Sequence, residues 1–374
     1  MMERRRIVEL WRKGNASVLV TLVRAEGSSY RQPGARLLIA ASGEYAGTIS
    51  GGCLEAEVVR KAAWMVRNGA VVERYSTMFD DTAEIPFGLG CGGTVDLLLE
   101  PADSPECAAL MAAFEASLDG EQSTVITWLP QEGRRFARAT LSVSRDFSFA
   151  SDALAEAELV DARAMVLRTG ATATQDEARY VERIQPPQRL FVLGAGDDAR
   201  PLVSMAALLG WSVIVADGRA QLARRERFPD AERILPLTPD NASLDVTADD
   251  AVVLMTHSYE QDRALLAAVL PLRPRYLGVL GARHRTSLLI SEVAELTGLT
   301  VADCLDHIYA PVGLDLGGDG PEAIALAVVA EAQACCMGKL GASRRLNERD
   351  VAEQIAQGGA SRYLLMQCAL DVSP

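Results

Sequence analysis

The chain has 374 residues, 49% of them hydrophobic and 23% charged, with a formal net charge of −13, the profile of a globular protein long enough for two or three domains. An acidic balance of that size argues against sequence-independent binding to nucleic acid or to an anionic membrane. Apolar runs such as 323–330 fall far short of the ~20 residues of a membrane span. Seven cysteines without paired spacing fit a reducing cytoplasm rather than a disulfide scaffold. The start, MMERRRIVELWRKG, is basic but lacks the apolar stretch of a signal peptide, so a cytoplasmic protein is expected.

Residues 1–100 read as a first α/β domain. An amphipathic helix is expected over 2–13 and strands over 17–23 and 35–40, joined by the loop 25–34. A turn at 41–44 leads to a short strand, 45–49. Ser50-Gly51-Gly52-Cys53 then opens a helix to about Asn68, where Gly69 can cap it. Strands at 70–77 and 94–100 flank a loop holding Asp80, Asp81 and Gly88-Leu89-Gly90-Cys91-Gly92-Gly93. Residues 101–188 read as a connecting subdomain and linker. It holds a helix at 105–118, a hairpin of 124–129 and 136–143, and a helix or irregular segment at 153–168. Residues 181–187 read as an extended linker, because Pro186 and Pro187 remove donors and force extended backbone. Such a linker predicts a groove between two lobes.

Residues 189–340 read as a Rossmann-like domain, a doubly wound parallel sheet. The apolar run 190–193 meets Gly194-Ala195-Gly196-Asp197-Asp198-Ala199, a helix-length stretch follows, and a second apolar run, 211–216, ends on Asp217. The glycines permit a tight turn and close approach to a pyrophosphate, which the following helix start would also favour. Asp217 lies 21 residues beyond Gly196, near the ~20-residue spacing at which an acid reaches a ribose hydroxyl. A helix around 220–227, short strands at 233–237, 251–256 and 276–280, and helices at 261–269, from 281, and at 321–337 complete the domain, with a glycine-rich loop at 308–320. The tail, 341–374, reads as helical and amphipathic.

Cys53 follows two glycines at a helix start, where free N–H groups favour a thiolate. Glu55 and Glu57 oppose that shift, and a small buried residue at a tight turn is the competing reading. Four glycines around Cys91 indicate unusual backbone or close approach of a ligand. Arg36 begins a strand and could meet an anion or lie on the surface; Ser28 and Ser29 are candidate phosphate donors or ordinary turn residues. His257 falls at the carboxyl end of a strand, where open α/β sheets place ligands, and Gly281 and Arg283 open a helix that could meet a second anion. Gly320-Pro321 is explained by helix initiation alone. Cys304 and His307 form half a zinc motif without a second half, so no metal site is expected, and Cys335 and Cys336 read as core.

Eight segments, in order, resemble the XdhC/CoxI accessory proteins: GSSYRQPGARLLI (27–39), GTISGGCLEAEV (47–58), GLGCGG (88–93), LFVLGAGDDARPL (190–202), ADGR (216–219), THSYEQDRALL (256–266), LGVLGARHR (277–285) and YAPVGLDLGGDGPEAIALAV (309–328). Departures are Tyr30, where Pro is frequent, and Ala323, where an acid is usual. The resemblance implies a chaperone that binds molybdenum cofactor (molybdopterin or its cytosine dinucleotide). It also implies help with sulfuration by a cysteine desulfurase and delivery to an apo molybdenum hydroxylase such as xanthine dehydrogenase or carbon monoxide dehydrogenase. It makes Cys53 and Cys91 the residues that carry the chemistry. Arg36, Gly51, Gly52, Gly194, Gly196, Asp217, His257, Gly281 and Arg283 become candidate cofactor contacts, and a homodimer is expected. Two alternatives follow from the residues: an NAD(P)-dependent oxidoreductase using the Rossmann site, and a thiol-based sulfur-transfer enzyme.

Overall fold

The computed structural model describes residues 1–27, 29–52, 54–76, 93–168, 173–175, 178–237 and 244–341, together with Arg349 and Glu353. Cys53, Cys91, Ser28, the loop 77–92 and nearly all of the tail after 341 lie outside these residues. The chain divides into two compact units, one built on Glu3–Pro186 and the other on Pro187–Arg344.

The first unit is built from α1 (Met2–Arg12), β1 (Ala16–Glu26), β2 (Arg36–Ala40), β3 (Tyr45–Gly47), α2 (Glu55–Met65), β4 (Val71–Ser76) and β5 (Thr94–Pro101). It continues with α3 (Pro105–Leu118), β6 (Ser123–Trp128), β7 (Ala137–Ser142), β8 (Phe147–Ala150), α4 (Glu156–Arg168), β9 (Ala173–Gln175) and β10 (Arg179–Ile184). These strands form two five-stranded sheets, ordered β3-β2-β1-β5-β4 and β8-β7-β6-β10-β9, antiparallel throughout. Val18, Val20, Leu22 and Leu97 pack under α2 through Leu54, Val58 and Ala62. Leu19 and Leu38, on the opposite face, meet α1 and α3 through Ile7, Leu110 and Phe114, with Val125 and Ile184 of the second sheet in the same cluster. Helix α4 covers the far side of the second sheet through Ala162. A sheet covered on both faces reads as a continuous apolar run, which is why 17–23 stood out.

Residues 181–184 are a strand, not the extended linker expected. Within β10, Tyr180, Val181, Glu182 and Ile184 are buried, and the strand lies between β6 and β9. The prolines end it rather than prevent it. Two buried ion pairs tie the sheets together: Arg138 to Glu100, and Arg36 to Glu182.

The second unit carries β11 (Arg189–Leu193), α5 (Ala199–Leu208), β12 (Ser212–Asp217), β13 (Arg233–Pro236), β14 (Ala251–Leu254), α6 (Tyr259–Val269), β15 (Tyr276–Val279), α7 (Arg283–Thr297), α8 (Val301–Leu305) and α9 (Pro321–Cys336). All its strand pairs are parallel, in the order β13-β12-β11-β14-β15. Helices α5 and α9 cover one face, and α6 and α7 the other. This is the doubly wound Rossmann arrangement, with its reversal of strand order between β11 and β14. The helix expected over 220–227 is instead a series of separate turns, closed by Ala223 N–H to Arg219 O and Phe228 N–H to Arg224 O. The buried Phe228 and Pro229 end it before a second turn of helix can form.

Candidate functional site

In the first unit, the turn 48–54 is wrapped around one carboxylate. Glu55, buried at the first position of α2, accepts from Thr48 Oγ1 at 2.5 Å, Ser50 N at 2.8 Å and Ile49 N at 3.1 Å, and from the Ser50 hydroxyl. Ser50 Oγ in turn accepts from Gly52 N at 3.2 Å and Leu54 N at 3.1 Å. Burial pushes the Glu55 carboxyl up, but the Ser50 and Thr48 hydrogen bonds outweigh it and hold it below the ordinary glutamate range. Glu57 is held by Arg60 and Lys61. Both acids are therefore engaged by other partners, Glu55 inside the turn and Glu57 on the helix.

Gly52 adopts φ +106°, and a Cβ there would meet nothing within 4 Å, so the turn has an open edge at Gly52. Gly51 lies against the Tyr30 ring, 3.7 Å from where its Cβ would stand, and Tyr30 is 74% exposed. Arg36 is not part of this surface. It is 6% exposed, paired with Glu182, donates to Gly34 O at 2.9 Å and stacks over Phe114. A cation committed in this way between two sheets is a structural element rather than a contact for a ligand.

In the second unit, Gly194, Gly196, Asp217 and His257 come together at the carboxyl ends of β11, β12 and β14. Gly194 has φ +133°, and a Cβ would overlap the Met255 carbonyl, so only glycine fits between these strand ends. Asp217 is 2% exposed. Its carboxylate accepts from Ala195 N at 2.7 Å and Arg219 N at 2.7 Å, and from Arg219 Nε at 3.0 Å and Nη2 at 2.7 Å. Burial raises its pKa, and the Arg219 and Ala195 hydrogen bonds outweigh that and lower it. His257 sits in the left-handed region at φ +63°, a conformation costly for a non-glycine residue, and its Nε2 pairs with Asp198 Oδ2 at 2.8 Å.

Asp262, fully buried, holds the same turn through Thr256 Oγ1 at 2.7 Å and Arg285 Nη2 at 2.6 Å. Gly281 and the exposed Arg283 stand at the start of α7, beyond β15. Among the described residues, no group of three or more His, Cys, Asp or Glu could hold a metal ion. No helix among them is long and apolar enough to cross a membrane.

Sequence reasoning passed over Glu55 and Asp198. Glu55 reads only as a charge near a thiol, since its five-residue offset from Ser50 matches no capping pattern. Asp198 had a usable signal: an acid between the second glycine and the helix, where a phosphate would lie.

A two-sheet unit joined to a Rossmann unit through a Pro-Pro step defines a class of protein, and comparison with known families says which. Residues 10–76 match the model of the XdhC and CoxI family and residues 190–332 that of the XdhC Rossmann domain. A protein of Bacillus subtilis, named as a probable subunit of xanthine dehydrogenase, is 30% identical over 84% of this chain and 92% of its own length. The molybdenum cofactor insertion chaperone PaoD of Escherichia coli is 27% identical over 87% of this chain and 85% of its own. A crystal structure of a protein described as a xanthine dehydrogenase, from Bacillus halodurans, superposes with a TM-score of 0.76 at 26% identity, covering 93% of this chain and 99% of that one. The chain belongs to the XdhC and CoxI family.

Proposed function

We propose that this chain binds molybdenum cofactor as cargo, holds it at the turn 48–54, and assists its insertion into a molybdenum hydroxylase. The observation that carries this reading is the turn itself: a glycine edge open to solvent at Gly51 and Gly52, fixed from inside by Glu55 at the start of α2. The similarity to a molybdenum cofactor insertion chaperone over most of both chains supports it. The cargo brings a sulfur-ligated metal, a flat pterin and a phosphate. The chain's part is to offer a soft thiolate from Cys53, with Cys91 as its partner thiol. Sulfuration of the cargo by a cysteine desulfurase, pairing of the chain as a homodimer, and a cytoplasmic location belong to the same reading.

Purified chain titrated with isolated molybdenum cofactor is expected to saturate at one equivalent per chain. Cys53→Ala is expected to weaken binding by about tenfold or more, the order of one lost soft-ligand contact (~1.4 kcal/mol). Equal binding by wild type and Cys53→Ala would remove Cys53 from the site, and no saturable binding by wild type would remove the function. The sulfur-transfer alternative is read in the same variants, because a persulfide carrier loses its sulfur label with its thiol.

A further inference from the structure

We propose that the Rossmann unit of this chain rejects dinucleotides, with Asp198 as the residue that sets the rejection. The proposal concerns the second unit alone and does not rest on the cargo reading above. In a dinucleotide-binding Rossmann turn, the second glycine lacks a side chain so that a pyrophosphate can approach the backbone. Here that space is already filled: a Cβ on Gly196 would overlap Asp198 Oδ1, with the His257 ring 3.6 Å away. Asp198 stands at the N-cap of α5 yet gives its own helix no capping hydrogen bond. Its carboxylate turns instead across the switch point between β11 and β14 to His257. The helix start that would attract a phosphate is thus covered by a fixed negative group of the chain's own.

The surrounding cations each have another carboxylate partner. Arg219 is joined to Asp217, Arg227 to Asp197 at 2.9 Å, and Arg285 to Asp262 at 2.6 Å. The second dinucleotide contact fails as well. Asp217 already accepts four hydrogen bonds, about the full capacity of a carboxylate, which leaves no acceptor for a ribose diol. Behind Asp198 the crevice is apolar, lined by Leu202, Met255, Leu280, Val312 and Ile324. A phosphate, including the one on a pterin cofactor, is turned away from the 194–196 turn.

The test is calorimetric titration of the full chain with NADH, NADPH and ADP-ribose, repeated with Asp198→Ser and Asp198→Asn. Wild type is expected to show no saturable binding up to about 1 mM. Asp198→Ser, which removes charge and bulk, is expected to bind ADP-ribose at least about tenfold tighter than wild type, and Asp198→Asn, which removes only the charge, to fall between them. No capping bond is lost, so unchanged circular dichroism is expected for both variants. Saturable wild-type binding of NADH or NADPH with a Kd below about 1 mM would overturn the proposal, as would an Asp198→Ser chain that binds ADP-ribose no better than wild type.

Discussion

Replacing Arg138 with Met is expected to lower the unfolding free energy of the first unit by about 3–5 kcal/mol, measured by urea denaturation of the full chain. Arg138 and Glu100 are 1% and 0% exposed and meet through two parallel bonds of 2.9 Å. Arg138 also donates to Glu106 O at 2.7 Å and to Thr127 Oγ1 at 3.2 Å. Burial works against the Arg138 charge, and Glu100 outweighs it and raises the pKa. Removing the cation leaves Glu100 charged between two sheets with its strongest partner gone. Removing both charges should restore most of the loss, because a buried pair replaced by apolar side chains of similar volume is often near neutral. The double variant Arg138→Met/Glu100→Leu is therefore expected to be more stable than Arg138→Met alone. A single variant within about 0.5 kcal/mol of wild type would mean that the pair does not join the sheets as described.

The second large effect is expected at Glu55. Glu55→Gln keeps the shape but turns one acceptor oxygen into a donor facing the Ser50 and Thr48 donors. Hydrogen bonds to a charged group are worth about 1.5–3 kcal/mol each, and part of that is regained by water at the rim. A net loss of about 2–4 kcal/mol is expected, seen as a fall in Tm of the order of 4–16 °C. The pH dependence has a definite sign. The folded carboxyl titrates below its unfolded value, so its stabilisation is complete above about pH 4.3, the ordinary glutamate value, and disappears as pH falls through the lowered folded value. The stability gap between wild type and Glu55→Gln should therefore be constant from neutral pH down to about pH 5 and close below about pH 4. A gap that instead widens on acidification would contradict an ionised Glu55 at the centre of the turn.

The Rossmann unit was legible because its signals are local: apolar runs of strand length, a glycine turn, and an acid at the end of the next strand. That its sheet is parallel followed from strands alternating with helix-length stretches; the order of the strands did not. The first unit was legible in its elements but not in its assembly. Residues 181–184 read as a linker because Pro186 and Pro187 follow them, while the partner that makes them a strand, β6, lies more than fifty residues earlier in the chain. Pairing of that kind leaves no local trace, and the short strands β8 and β9 escaped for the same reason. At the candidate site, sequence singled out Gly52, Gly194 and His257 by their surroundings. It could not show that Arg36 faces Glu182, that Glu55 faces inward, or that Asp198 folds back over Gly196. Those facts depend on which way a charged side chain turns, and one residue pattern is compatible with either direction.

Delivery of a cargo is read out by reactivation of an apo molybdenum hydroxylase. Chain loaded with molybdenum cofactor should restore hydroxylase activity faster, and in the presence of air more completely, than the same amount of free cofactor. The advantage should shrink in Cys53→Ala and persist in Asp198→Ser. Reactivation by free cofactor at the same rate and to the same extent as by the loaded chain would contradict the account.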